Sequence, residues 1–253
     1  MEEIGSMAQL VKIERCISRY SQNLYHYAGR FIHQKSRRFE EFKEAYSGRN
    51  DQVIKDNFYR KFFRQQLIWA TSTATEQSEL PSKYKLDLWL RLFLRNFDDT
   101  VLMFYEPELK IGDAYTSVDI ILITPFKVWT VRLVLGERDS VFQPYDRRKW
   151  KEIQSEGTVY TINPLLSLQR TSESVRRIFY EYKMTLPLQS VLCAPESYIE
   201  FSSESGQVKI VDKAGLKKWM EEMSNYRATL KREQLQAAEV LLLHSEVVAE
   251  ERV

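Results

Sequence analysis

Asp119 is the residue whose setting most needs a chemical explanation. It lies in Ser117-Val118-Asp119-Ile120-Ile121-Leu122-Ile123, a run that is otherwise apolar and β-branched. A carboxylate there is costly to bury unless it is paired or holds a cation. The sequence leaves three roles open: a strand-end carboxylate, the partner of a nearby Arg, or a metal ligand. Across a short turn lies Val128-Trp129-Thr130-Val131-Arg132-Leu133-Val134. If the two runs are neighbouring strands, Asp119 and Arg132 share a face and form an ion pair.

A second group is basic. Arg147-Arg148-Lys149-Trp150-Lys151 sets charge beside an aromatic, and Arg176-Arg177 follows later. Such a loop could contact phosphates; equally, it is a solvated loop with Trp150 tucked into the core. Residues 1–64 carry 13 Lys and Arg against 8 Asp and Glu. That excess suits either the solvated faces of amphipathic helices or an acidic partner. His26 and His33 are seven apart and share a helix face, but a metal site usually needs three or four ligands, so exposed polar roles are expected. Cys16 and Cys193 stand alone, as reduced thiols do. The 8 Gly are scattered, and none forms Gly-x-Gly-x-x-Gly or a Gly-Lys-Ser/Thr turn. Dinucleotide-binding and phosphate-loop chemistries, which need clustered Gly, are therefore excluded.

Elements must hold these residues in place. Leu10, Ile13, Ile17, Tyr20, Leu24 and Tyr27 recur at three- and four-residue steps, which predicts a helix over 7–46. A stop and restart at 47–50 precede a second helix over 52–70. Residues 71–79 are small and polar and read as a linker. A third helix is expected over 83–97. The period then falls to two, giving strands over 101–105, 116–123 and 128–135. A strand over 159–162, a helix over 164–183, strands over 188–194 and 208–211, and helices over 214–223 and 227–248 complete the chain. The expected organisation is a basic helical region over 1–79, an α/β domain over 80–224 and a terminal helix over 225–253.

The stretch from Tyr115 to Val131 resembles the core of the NERD (nuclease-related) domain family. Trp150 after Phe142, and Asn163-Pro164 opening a helix, are similar to later segments of that family. The resemblance implies a restriction-endonuclease-like fold, a mixed sheet flanked by helices with helical N- and C-terminal extensions. It also implies Mg²⁺-assisted phosphodiester cleavage, with an Asp and a Glu holding the metal and a Lys two residues after the Glu. Asp119 matches the Asp, but Arg132 stands at the Glu position and Val134 at the Lys position. An Arg repels the ion and a Val carries no charge. The reading is thus a nuclease-like module without catalysis and without cofactor, acting in binding or scaffolding, with nucleic acid as a possible partner. One alternative is a Mg²⁺-dependent nuclease whose site has migrated to Asp119 with Glu79 or Asp87 and Glu137. Another is self-association or protein binding through the terminal helices. Apolar runs fall far short of the roughly 20 residues of a membrane helix, so the expectation is a cytoplasmic protein with no membrane partner.

Overall fold

The computed structural model describes residues 5–46, 48, 50–201, 207–226 and 228–252. Parts of the expected stop at 47–50, and Arg227, lie outside the described residues. The chain is mixed α/β. Its central sheet has six strands: β1 (Gln9–Ile13), β3 (Leu102–Tyr105), β6 (Ile120–Ile123), β7 (Val128–Leu133), β11 (Leu188–Ala194) and β13 (Val208–Asp212), adjacent in that order. β3, β6 and β7 form an antiparallel meander; β1 joins β3, and β11 and β13 follow β7, in parallel.

Alternation along β6 shows how the sheet divides the core. Ile120 and Leu122 point to one side, with helices α2 (Asp51–Trp69), α4 (Leu88–Asn96) and α6 (Leu216–Ser224). Ile121 and Ile123 point to the other, with α1 (Leu24–Ala45), α5 (Pro164–Glu181) and α7 (Arg232–Leu243). Both faces are covered, as the continuous apolar strands require.

Several expected elements are corrected. The helix over 7–46 is a strand, a turn at Arg19–Ser21 and then α1. All five residues of β1 are buried, so it shows no polar–apolar alternation, and the helical spacing was coincidental. The linker over 71–79 is not a linker. Thr71 and Ser72 are buried and donate their hydroxyls to the carbonyls of Leu67 and Ile68, extending the end of α2. β2 (Glu76–Gln77) pairs with β14 (Glu250–Glu251) at the far end of the chain. The helix over 83–97 is two: α3 (Ser82–Leu86) and α4, broken at Asp87, whose carboxylate caps α4 at the Leu90 N–H. The final helix ends at Leu243 and continues as an extended strap to β14.

The boundaries at 79 and 225 therefore do not divide the fold. β1 belongs to the central sheet, and Leu235, Ala238 and Leu241 of α7 fill the core beneath it. Two further units are not foreseen as sheets, although the strand over 159–162 is expected, and the expected strand over 116–123 is divided between one of them and β6. β4 (Glu108–Ile111) and β5 (Ala114–Ser117) form a hairpin. β8 (Val141–Pro144), β9 (Lys149–Gln154), β10 (Gly157–Ile162) and β12 (Tyr198–Ile199) form a four-stranded sheet, ordered β10-β9-β8-β12.

Candidate functional site

Asp119 immediately precedes β6, and Ile120 pairs with Val131. The register therefore sets Asp119 opposite Arg132. Arg132 Nη1 donates to Asp119 Oδ1 at 3.0 Å. Asp119 is buried, whereas the Arg132 side chain is 43% exposed. Helix α5 supplies the remaining partners. Ser167 donates its hydroxyl to Oδ1 at 3.0 Å, and Thr171 donates to Oδ2 at 3.1 Å. The Asp119 backbone N–H returns a bond to Thr171 Oγ1 at 2.8 Å. Arg170 Nη2 in turn donates to Ser167 Oγ at 3.2 Å, bringing a second guanidinium to the locus. Deeper on the same side, the hydroxyls of Thr130, Ser172 and Ser190 bond to one another and tie β7, α5 and β11 together.

These residues do not fit a divalent cation. Both oxygens of Asp119 already accept protein donors, and an ion there would face a guanidinium at contact distance. Val134 lies against an apolar cluster with Phe142 and Trp150 and presents no charge. The other proposed carboxylates are employed elsewhere. Asp87 caps α4 and accepts the Tyr105 hydroxyl at 2.8 Å on the opposite side of the sheet. Glu137 accepts from the Ser155 N–H and hydroxyl. Glu79 is exposed on the segment beside Cys16. The structure thus joins Asp119 to Arg132 and leaves Glu79, Asp87 and Glu137 apart from them.

The basic run is resolved differently from the expected loop. Only Arg147 and Arg148 lie in a turn, closed by Asp146 Oδ1, which accepts the N–H groups of Arg148 and Lys149. Lys149, Trp150 and Lys151 belong to β9. Trp150 is buried, as one of the two sequence readings had it. Its neighbour Glu152 is also buried. Glu152 Oε1 accepts the Glu137 N–H at 2.7 Å and the Ser140 hydroxyl at 2.8 Å. Gly136 is required here, because a Cβ on it would meet Glu152 Oε1 at 2.2 Å.

With Trp150 and Glu152 inward, Lys149, Lys151 and Ile153 face outward. Across β10, Lys149 pairs with Ile162 and Lys151 with Tyr160. Across β8, Lys151 pairs with Gln143, and the Tyr145 N–H donates to the Lys149 carbonyl at 3.1 Å, setting Tyr145 beside Lys149. The rings of Tyr145 and Tyr160 meet edge-on, centroids 4.9 Å apart. This face therefore carries two lysines, two exposed tyrosines and the 80% exposed Ile162, with Arg147 and Arg148 at its end. Glu200, bonded to Gln143, is the carboxylate at its other margin. The face abuts the start of α5, where the Asn163 N–H donates to the Arg148 carbonyl and the Asn163 side chain to the Arg147 carbonyl.

Arg176 and Arg177 do not join this face. They are exposed on α5, 12 and 13 residues after Pro164, hence almost 20 Å along its axis. Arg177 pairs with Glu181. Sequence reasoning did not identify Ser167, Arg170, Thr171, Tyr145 or Tyr160. The spacing of Ser167 and Thr171, one helical turn apart, was the available signal for the first group. His26 and His33 are exposed on α1, and among the described residues no group of three or more His, Cys, Asp or Glu is arranged to hold a metal ion. No described helix is long and apolar enough to cross a membrane.

Comparisons with protein-family models, with curated proteins and with solved structures find no match to this chain.

Proposed function

We propose that this chain is a nuclease-like module that no longer cleaves and that binds single-stranded nucleic acid on the outer face of β8, β9 and β10. The observation that carries the first half is the Asp119–Arg132 pair. In a restriction-endonuclease-like reading, Arg132 holds the place of a metal-binding Glu, and its guanidinium takes the role that a cation would have at Asp119. In the central sheet, the antiparallel strands β3, β6 and β7 follow α4, and α5 leads into the parallel strand β11, an arrangement that supports that reading of the fold.

The second half rests on the lysine–tyrosine face. Lysines contact backbone phosphates, while exposed aromatic rings offer bases a stacking surface regardless of sequence. Lys149 and Lys151 beside Tyr145 and Tyr160 combine the two functions on one sheet. The terminal-helix alternative receives less support, because most apolar residues of α7, Leu243 apart, and much of α1 are already buried within the chain.

The test has two arms. A labelled oligothymidylate is titrated with the protein over a range of salt concentrations, and the same oligonucleotide is incubated with protein and Mg²⁺. The reading expects salt-dependent binding and an intact oligonucleotide. Cleavage that is lost in Asp119→Ala would overturn the non-catalytic half. Absence of binding at low salt would overturn the nucleic-acid half.

A further inference from the structure

A groove lies between α2 and the corner where α3 meets α4. Its length is one stripe of α2, in which Arg60, Phe63, Arg64, Leu67 and Ile68 recur at three- and four-residue steps. Its volume is about 540 Å³, within the ordinary range of small-molecule sites. Phe63 and Leu67 make a buried floor, and Ile68 and the 82% exposed Leu86 stand at its lips.

Four cations, Arg60, Arg64, Lys85 and Arg91, surround this apolar floor, and no Asp or Glu lines it. Among the described residues none of the four forms a salt bridge. Asp56, one turn before Arg60, is held by Arg95 at 2.5 Å. Arg91 lies over the Phe63 ring at 5.2 Å and donates Nη2 to the Lys85 carbonyl at 3.2 Å. Its Nε is buried with no acceptor, although buried donors are nearly always satisfied. Arg60 is partly offset by Asp56, which leaves Arg64, Lys85 and Arg91 as the excess positive charge around a recessed apolar surface, complementary to one kind of ligand.

We infer that the groove binds a small amphiphilic anion. The apolar tail lies on Phe63 and Leu67 between Ile68 and Leu86. The carboxylate, phosphate or sulfonate head lies among Arg64, Lys85 and Arg91. The floor is recessed below the cations, so a tail must leave any bilayer or micelle to reach it, which selects a monomeric ligand. This site is separate from the lysine–tyrosine face and does not depend on the reading given to it.

Dodecanoate, kept below its micellar concentration, displacing 8-anilinonaphthalene-1-sulfonate from the full chain provides the test. One saturable site is expected, with dodecanoate competing while acetate and dodecanol compete at least tenfold more weakly. Arg64→Glu combined with Lys85→Glu should weaken dodecanoate at least tenfold, and the exposed Leu86→Asp should weaken it severalfold. Both variants should keep the wild-type circular dichroism and melting temperature, and Lys149→Glu with Lys151→Glu should bind dodecanoate as the wild type does. Equal competition by dodecanol, wild-type affinity in the Arg64/Lys85 variant, or binding to anionic vesicles without binding to monomeric dodecanoate would each overturn the inference.

Discussion

Asp119 and Arg132 stand opposite each other across neighbouring antiparallel strands, Oδ1 to Nη1 3.0 Å, with the carboxylate buried and the arginine side chain 43% exposed. The two partners are therefore unequal. Asp119→Ala leaves Ser167, Thr171 and Arg132 without their acceptor and should cost about 3 kcal/mol. Arg132→Ala leaves a carboxylate that still accepts Ser167 and Thr171, and a half-exposed partner contributes less, so about 1 kcal/mol is expected. Urea unfolding of both variants checks the order. A larger loss for Arg132→Ala would contradict this account of the site.

Lys12 on β1 is fully buried and donates Nζ to the carbonyls of Cys16 at 2.6 Å and Glu246 at 2.7 Å. Burial pushes its pKa down to about 8 from 10.5. Between those values the unfolded chain binds a proton that the folded chain does not, so this group's contribution to stability rises with pH. Below pH 8 both states are protonated, and the buried charge weighs against folding. Cys16, pushed up to about 11 by burial, works in the opposite sense above pH 9. The comparison is therefore with Lys12→Met, in which both cysteines remain. From pH 8 to pH 9 the wild type should gain about 1 kcal/mol relative to that variant. A constant difference in urea unfolding would show that Lys12 titrates near its ordinary value.

β1 is an edge strand, and α2 closes its free edge with a side chain. The Leu10 N–H donates to Gln66 Oε1 at 2.8 Å, and Gln66 Nε2 donates to the Ala8 carbonyl at 3.1 Å. Gln66 is fully buried, and its amide stands in for the missing neighbouring strand. Gln66→Leu keeps the volume but leaves a buried N–H and C=O unpaired, which should cost about 2–4 kcal/mol. Thermal unfolding measures the loss, and faster amide exchange at Leu10 locates it.

On the proposed nucleic-acid face, charge and stacking separate. Lys149→Glu with Lys151→Glu should weaken oligothymidylate binding at every salt concentration and reduce the slope of log affinity against log salt by about 1.4, two contacts' worth for a single strand. Tyr160→Ala should weaken binding by about 1–3 kcal/mol while leaving the salt slope unchanged. A changed slope in Tyr160→Ala would mean that the tyrosine acts through the phosphates.

The Asp119–Arg132 contact was legible because a charge interrupting a β-branched run needs a partner, and a short turn limits which residue that is. The lysine–tyrosine face was not. Glu152 occupies an inward position of β9, so Lys149-Trp150-Lys151-Glu152 shows no simple alternation. What makes that burial tolerable is distant in sequence: Ser140, the backbone of Glu137 and the space left by Gly136. Similarly, the polar stretch 71–79 looked like a linker because its distant partners lie at the far end of the chain: β2 pairs with β14, and the Ser78 hydroxyl donates to the Val248 carbonyl.

The sequence by itself determined the mixed α/β class, the hairpin β6-β7, the helix after Asn163 and the absence of a Gly-cradled phosphate site. Those follow from local periods, caps and turns. Tertiary structure alone decided that β1 is a strand, that the segment after α2 meets the far end of the chain as β2 and β14, and that Tyr145 lies beside Tyr160. In each case, long-range hydrogen bonds or coverage of both faces outweigh the local pattern, and neither is written in neighbouring residues.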